Sequence, residues 1–588
     1  MKNVSATGDV GATANATRWR RGAAVATAYF VLTLIFTWPL PLQLGTHVLG
    51  TGTDPELYMW TLGWNAHAFI TQPFAIFDAN IFHPSKYSLA YSENLIGSSL
   101  LFAPLIWLTN DLLLVTNLVE ISSVWLSAIG AYLLARKLGL GVTAALLVGL
   151  IFGFSPARFF RMPQVHVTTV QWIPFCLAYL HAYFNDDGKP RHLRLAAFFY
   201  TAQALASGHG AVFLTVAAAG YAAWRVVLGE RLDLIRRIRD LGVTGVVLLV
   251  PSALLLIPYR GARREVPNLQ RTLDDFGSSL SSYFSSPTHV HEWLLSHAPA
   301  WMTAARPDAH LFPGVLPIAL AIVAALAMRT WSAAVIVPSD RRSSWRARLY
   351  GWRTNPVAFY TLLTAISVWF TLGPPIGLWR WTYWLPVFSF LRVPSRFVLL
   401  EVLTLAVLSG FGYQWLTRRM TVGVQRAVAI GLSALLLVEF APMPLATIPY
   451  DITPPAADKW LNGRPKPFVV AEVPVPDSVS TITQALRNTL YMLHSTAHWQ
   501  KIVHGYSGVE PQHYTDLHWK LTRFPDDESL NALADLGIDY IVMHPDLYPE
   551  TELADAEARF RRYSDWLRVE YLSPDGRVYS LKRPAAAQ

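Results

Sequence analysis

Asp54 and Glu56 stand in GTDPELYMWTLGWNAHAF, shortly after an apolar, charge-free run at 24–44. A third acid, Glu93 in YSENLIGSS, closes the same stretch. A carboxylate held at a membrane surface can act as general base toward an acceptor hydroxyl, or as ligand to a divalent metal beside a donor phosphate. Each acid also has a plainer reading. Asp-Pro starts turns, and a glutamate ahead of an apolar segment suits a helix N-terminus, where the dipole favours negative charge. Asp78, with His83 and Lys86 in FDANIFHPSKY, reads as an ordinary loop acid.

The cations that could face such acids fall in three places. Arg158, Arg161 and His166 lie in FSPARFFRMPQVH, His209 lies between two glycines in SGHG, and Arg392 and Arg396 flank Pro394 in FLRVPSRF. A lipid-phosphate leaving group needs fixed cations at the membrane surface, and arginine offers phosphate oxygens bidentate contacts. Interfacial anchoring by snorkelling side chains is the alternative. Glu120, Glu401 and Glu439 fall inside apolar segments, where an ionisable group is costly and faces the bundle interior. HVHEWLLSH at 289–297 holds a single His-x-His-Glu, too little to define a metal site. The chain has no GxxxxGK[ST], GxGxxG after a strand, HExxH or GxSxG. ATP-driven transport, dinucleotide chemistry, zincin proteolysis and α/β-hydrolase chemistry thereby lose their usual markers.

The elements that must position these residues are apolar. Of 588 residues, 53% are hydrophobic and 15% charged, against the roughly 25% charged residues usual in soluble domains. Mean hydropathy is +0.30, and the composition is that of a polytopic α-helical membrane protein. Apolar segments of spanning length follow the first at 112–135, 142–157, 165–184, 193–207, 210–228, 241–258, 311–329, 356–373, 396–416 and 426–445. The segment 96–108 is too short to cross alone and reads as interfacial or re-entrant, so 11 to 13 spans are expected. The net charge of +9 comes from short basic clusters between apolar runs. That is the positive-inside pattern and not a nucleic-acid-binding face. With one cysteine, Cys176, in an apolar segment, no intramolecular disulfide can form.

The expected organisation is a cytoplasmic tail at 1–23, a membrane body at 24–445 and a soluble domain at 446–588, with the first span uncleaved. The body carries a first external loop at 45–95 and a large one at 259–310. In the soluble domain PFVVAEVPV reads as a buried strand and ALADLGIDYIVMH as helix, glycine turn and strand. LRVEYLSPDGRVYSLKR reads as a hairpin turning at Pro574, Asp575 and Gly576. These make a small α/β module, placed outside the cytoplasm by the basic residues before the last span.

On TDPELYMW, IFHPSKYSLAYSE, FSPARFFRMPQVHVTTVQWIPF and FLRVPSRF, the chain resembles the GT-C superfamily of polytopic membrane glycosyltransferases, including YfhO-like bacterial membrane proteins. STAHWQKIVHGYSGVEPQHY and LADLGIDYIVMH resemble the external domain that often ends them. The resemblance implies an inverting transferase of the bacterial cytoplasmic membrane. It would move a sugar from a polyprenyl-phosphate carrier to an envelope glycan, lipid or protein acceptor on the outer face. Asp54 matches the position of the family's first-loop catalytic acid, with Glu56 its neighbour and Glu93 the second acid of the loop. Asp-Pro-Glu departs from the family's adjacent acids or Asp-x-Asp, which leaves a divalent metal cofactor open. Two other classes stand beside this one: a lipid or glycan transporter or flippase, for which no internal repeat is found, and a non-catalytic envelope-assembly protein.

Overall fold

The computed structural model describes residues 6–50, 52–185, 188–227, 231–266, 278–297, 299, 310–328, 355–385, 388, 391, 393–477 and 481–584. The chain divides into two compact units. The first comprises Met1–Gln43, Leu118–Pro251 and Arg271–Ala446, the second Leu44–Asn117, Ser252–Gln270 and Thr447–Gln588. The first external loop, grouped with the membrane body on sequence grounds, thus shares a unit with the C-terminal domain.

The first unit is helical. Among the described residues, Leu112–Lys137, Val142–Phe159, Pro394–Thr417 and Val422–Phe440 are long and apolar enough to cross a membrane, and Val315–Leu326 and Pro356–Thr371 are shorter apolar helices; a further short one, Ile96–Thr109, belongs to the second unit. The Pro394–Thr417 span is 94% buried, which makes it the centre of its unit. Its helix Val398–Thr417 packs on Val142–Phe154, Val315–Leu326 and Pro356–Thr371. Without water to drive helices together, close backbone approach supplies the contact, and small residues permit it. A Cβ on Gly412 would stand 2.0 Å from the Leu320 carbonyl oxygen.

Prolines decide where these helices stop. The residue before a proline is disfavoured in the α region, and Ser155, ahead of Pro156, is extended at φ −61° and ψ 145°. Val142–Phe154 therefore ends there, and a four-residue turn of helix, Pro156–Phe159, follows. The segment expected as one span at 165–184 is broken, into Val165–Thr168 and Trp172–Asn185. Pro174 lacks the N–H that a helix interior requires, so it sits in the first turn of a new helix. Only 24–36 of the first apolar run is helical, in a longer helix, Ala6–Phe36, that begins within the stretch expected as a tail and ends ahead of Pro39; the rest of the run, 37–44, lies beyond it in turns and a short 3-10 helix, Leu40–Leu42.

The second unit pairs β1 (His47–Leu49) with β2 (Thr447–Pro449) and is built on a five-stranded sheet. The strands of that sheet are β3 (Val469–Val473), β4 (Lys501–Ile502), β5 (Tyr540–Met543), β6 (Leu567–Leu572) and β7 (Arg577–Leu581), in the order β4-β3-β5-β7-β6. β4, β3 and β5 are parallel, and β7 runs antiparallel to both β5 and β6. Side chains alternate between sheet faces. Ala471, Val473, Ile541 and Met543 enter a core shared with Leu530, Leu533 and Phe560, while Glu472 and His544 fall on the other face. The 573–576 turn closes the expected hairpin through Ser573 N–H to the Gly576 carbonyl at 2.9 Å, and Gly537 turns at φ +71° between helix Asp527–Asp535 and β5. The first loop extends the sheet beyond β4. Ile502 donates to Asn80 at 2.7 Å, and Phe82 and His83 donate to His504 and Ile502 at 3.0 Å.

Gly412→Val should lower the melting midpoint of the detergent-purified protein by an amount equivalent to about 1–3 kcal/mol, the usual range for overpacking. Gly423→Ala, where nothing lies within 4 Å of the added Cβ, should not lower the midpoint, since alanine is the better helix former.

Candidate functional site

The proline breaks in the first unit leave its arginines on short turns between helices. Arg158, on Pro156–Phe159, is fully buried. Its Nη2 donates to Ser123 Oγ at 2.6 Å and to the Thr168 carbonyl at 2.8 Å. The Thr168 hydroxyl in turn donates to Glu120 at 2.8 Å. Arg158 therefore ties the 156–168 connection to helix Leu112–Lys137, using its charge inside the protein.

Arg161, three residues on, is 3% exposed and donates to Ser395 Oγ at 3.1 Å. Burial, and then the nearby Arg396, pull its pKa down to about 9. Arg396 Nη1 donates to His209 Nε2 at 2.6 Å. Since a guanidinium cannot accept, that ring nitrogen is unprotonated in this pairing. His166 lies beside His209, with ring centroids 5.3 Å apart. Ser207 fixes this neighbourhood, donating to the His166 carbonyl at 2.5 Å and accepting from Gly210 N–H at 3.0 Å as helix Gly208–Val227 begins. Arg161, Arg396, His209 and His166 are thus brought together from three separate stretches of chain. The two buried guanidiniums stand close enough for their charges to oppose each other. Arg392 lies outside the described residues.

The three acids of the first loop belong to the second unit. Asp54 is half-buried in the first turn of helix Thr53–Thr71. Glu56, one residue beyond Pro55, is buried. It accepts from Tyr450 Oη at 2.7 Å and from the Thr489 hydroxyl. Burial raises its pKa, against the opposing pull of the bonds from Thr489 and Tyr450. Both carboxylate oxygens of Glu56 are thereby engaged. Glu93 is 3% exposed, and the neighbouring Asn94 donates to Tyr259 Oη at 2.9 Å. Asp78 pairs with Lys501 at 3.2 Å.

Sequence spacing could not have named Tyr450 and Thr489, which lie 394 and 433 residues from Glu56. The glutamates in apolar segments are similarly engaged. Glu401 accepts from Tyr283 at 2.6 Å, and Glu439 accepts from His291 at 3.0 Å and from the backbone N–H groups of Val315 and Leu316. His291 of the HVHEWLLSH stretch is consumed by that pairing and by Ser286 at 2.8 Å.

No family model matches the chain, and no curated protein matches it. Among solved structures, it is similar to the arabinofuranosyltransferase AftD from Mycobacteria, at TM-score 0.59 and 15% identity over 96% of this chain. It spans 40% of the length of that protein. It is also similar to the Archaeoglobus fulgidus oligosaccharyltransferase tethered with an acceptor peptide, at TM-score 0.50 and 12% identity over 96% of this chain and 74% of the other. The architecture is the GT-C glycosyltransferase fold, a mostly helical membrane protein with a sheet-containing C-terminal domain.

Glu56→Ala, which leaves two hydroxyls without their acceptor, should destabilise the protein by about 1–3 kcal/mol, and Glu56→Gln by less. The raised folded-state pKa means that folding favours the protonated acid. The stabilisation linked to that proton is complete below the ordinary glutamate range and is lost as pH rises through the folded value. Thermal melts should therefore show wild type gaining on Glu56→Gln as pH falls from about 7 to about 5.

Proposed function

We propose that this chain is an integral membrane glycosyltransferase that takes a sugar from a polyprenyl-phosphate-linked donor. It delivers the sugar to a glycan, lipid or protein acceptor at the outer face of the bacterial cytoplasmic membrane. The observation that carries this reading is the buried pair of Arg161 and Arg396, whose mutual repulsion an anionic phosphate relieves, with His209 bonded to Arg396 beside them. The GT-C fold supports the reaction class.

In this reading Arg161 and Arg396 bind the phosphate of the lipid-linked donor, and His166 and His209 line the same place. Arg158 positions the connection that carries Arg161. Asp54 is the base: the acceptor hydroxyl attacks the anomeric carbon as its proton passes to Asp54. The bond from that carbon to the phosphate oxygen breaks, and the lipid phosphate leaves with the electron pair. Attack opposite the leaving group inverts the anomeric centre. Glu56 anchors the helix on which Asp54 sits, so Asp54 precedes it as candidate. Glu93 orients the acceptor, and the C-terminal domain lies outside the cytoplasm and binds it. The transporter alternative is less well supported, because the glutamates it would use are each engaged by a neighbouring hydroxyl, imidazole or backbone N–H.

Purified protein supplied with radiolabelled polyprenyl-phosphate sugars should transfer label, and Asp54→Asn should lower kcat about 10²–10⁴-fold with the circular dichroism spectrum unchanged. Undiminished turnover in that variant rejects Asp54 as base. Arg396→Gln and Arg161→Gln should each lower kcat/KM for donor by about 10–100-fold, the worth of a hydrogen bond to a charged group.

A further inference from the structure

The sheet of the second unit carries a cluster that the transfer reaction does not use. Glu472 lies within β3, in the otherwise apolar VVAEV, and is fully buried on the sheet face opposite the main core. Its Oε2 stands 2.8 Å from His544 Nε2 and 3.3 Å from His494 Nδ1. His544 directly follows β5, where its N–H bonds the Val473 carbonyl at 2.9 Å, and His494 ends helix Thr481–His494. Asp458, on helix Ala456–Asn462, completes the group, and the ligand atoms of all four residues lie within 4.8 Å of one another.

The hydrogen bonding of this cluster is incomplete. Asp458 is 0% exposed and, among the described residues, neither of its carboxylate oxygens accepts a hydrogen bond. His498 Nε2 stands 3.6 Å from its Oδ1. Glu472 Oε1 is likewise buried without a donor, while both imidazoles crowd onto Oε2. Two buried carboxylates with three oxygens unused are costly unless a cation lies among them.

We propose that Asp458, Glu472, His494 and His544 bind one zinc ion in the C-terminal domain. Two imidazoles and two carboxylates are a tetrahedral zinc set, and arms of about 2.0–2.1 Å put neighbouring ligand atoms about 3.3 Å apart, close to the separations at Glu472. The divalent ion cancels the two carboxylate charges and leaves the site neutral. Magnesium and calcium are disfavoured, since they take six or more oxygens and here half the ligands are nitrogen. The site lies beside the C-terminal ends of β3 and β5 and joins them to two helices, giving a domain without disulfides a cross-link. One of those helices carries Thr489, which bonds Glu56 next to the candidate base.

The test uses full-length protein in detergent, purified without a polyhistidine tag, stripped with chelator and equilibrated with zinc sulfate alone. Plasma mass spectrometry should find about one zinc per chain, and cobalt substitution should give the visible absorption of a tetrahedral site. His494→Ala, at the one partly exposed ligand, and Asp458→Asn should each weaken zinc binding at least about tenfold. Zinc should raise the melting midpoint of wild type and leave that of His494→Ala in place. Wild-type protein with a native spectrum that takes up no zinc overturns the proposal without recourse to any variant. So does zinc uptake that both substitutions leave undiminished, which marks adventitious surface binding.

Discussion

The structure depends on where positive charge is kept out of water. A guanidinium in an apolar helix bundle must be bonded at once or be completed by a ligand, because the medium around it does not solvate it. Arg158 bonds Ser123 and the Thr168 carbonyl, and through Thr168 it reaches the Glu120 carboxylate. Arg161 and Arg396 bond Ser395 and His209 but stand close enough to oppose each other's charge. In the proposed reading that difference in charge environment separates a structural tether from a binding site.

The same logic organises the acids. Tyr283, His291 and Thr168 each supply a glutamate in the membrane body with a donor, and Tyr450 and Thr489 supply Glu56. Glu56 thereby fixes the helix that begins beside Asp54 to the C-terminal domain, and the 80–83 stretch lengthens that domain's sheet at β4. A first loop held at two places to a folded domain can present Asp54 in a set orientation. Orientation of reacting groups is where a transferase gains much of its rate.

Local features were legible in the sequence where local chemistry sets them. The hairpin at 574–576, the helix, glycine and strand of 532–544 and the buried strand at 467–475 follow from turn residues and periodicity. Pro156 and Pro174 mark the helix breaks, yet 165–184 reads as one span because hydropathy does not register a missing N–H. The grouping of Arg161, Arg396 and His209 was foreseeable as chemistry but not as geometry, since Arg161 meets Ser395 across 234 residues and Arg396 meets His209 across 187. Glu472 gave a signal of a different kind. A charge in the middle of an apolar strand announces a buried partner, but its partners, His494 and His544, lie 22 and 72 residues away.

The central claim is that the cluster around Arg161 and Arg396 recognises phosphate on a lipid. Equilibrium binding of undecaprenyl phosphate and of undecaprenol to the purified wild-type protein, compared in the same detergent, tests it most directly. The account predicts that the phosphate-bearing lipid binds at least about tenfold tighter, as one charge-assisted contact requires, and that added salt narrows the gap. Equal affinity for the two lipids would contradict it.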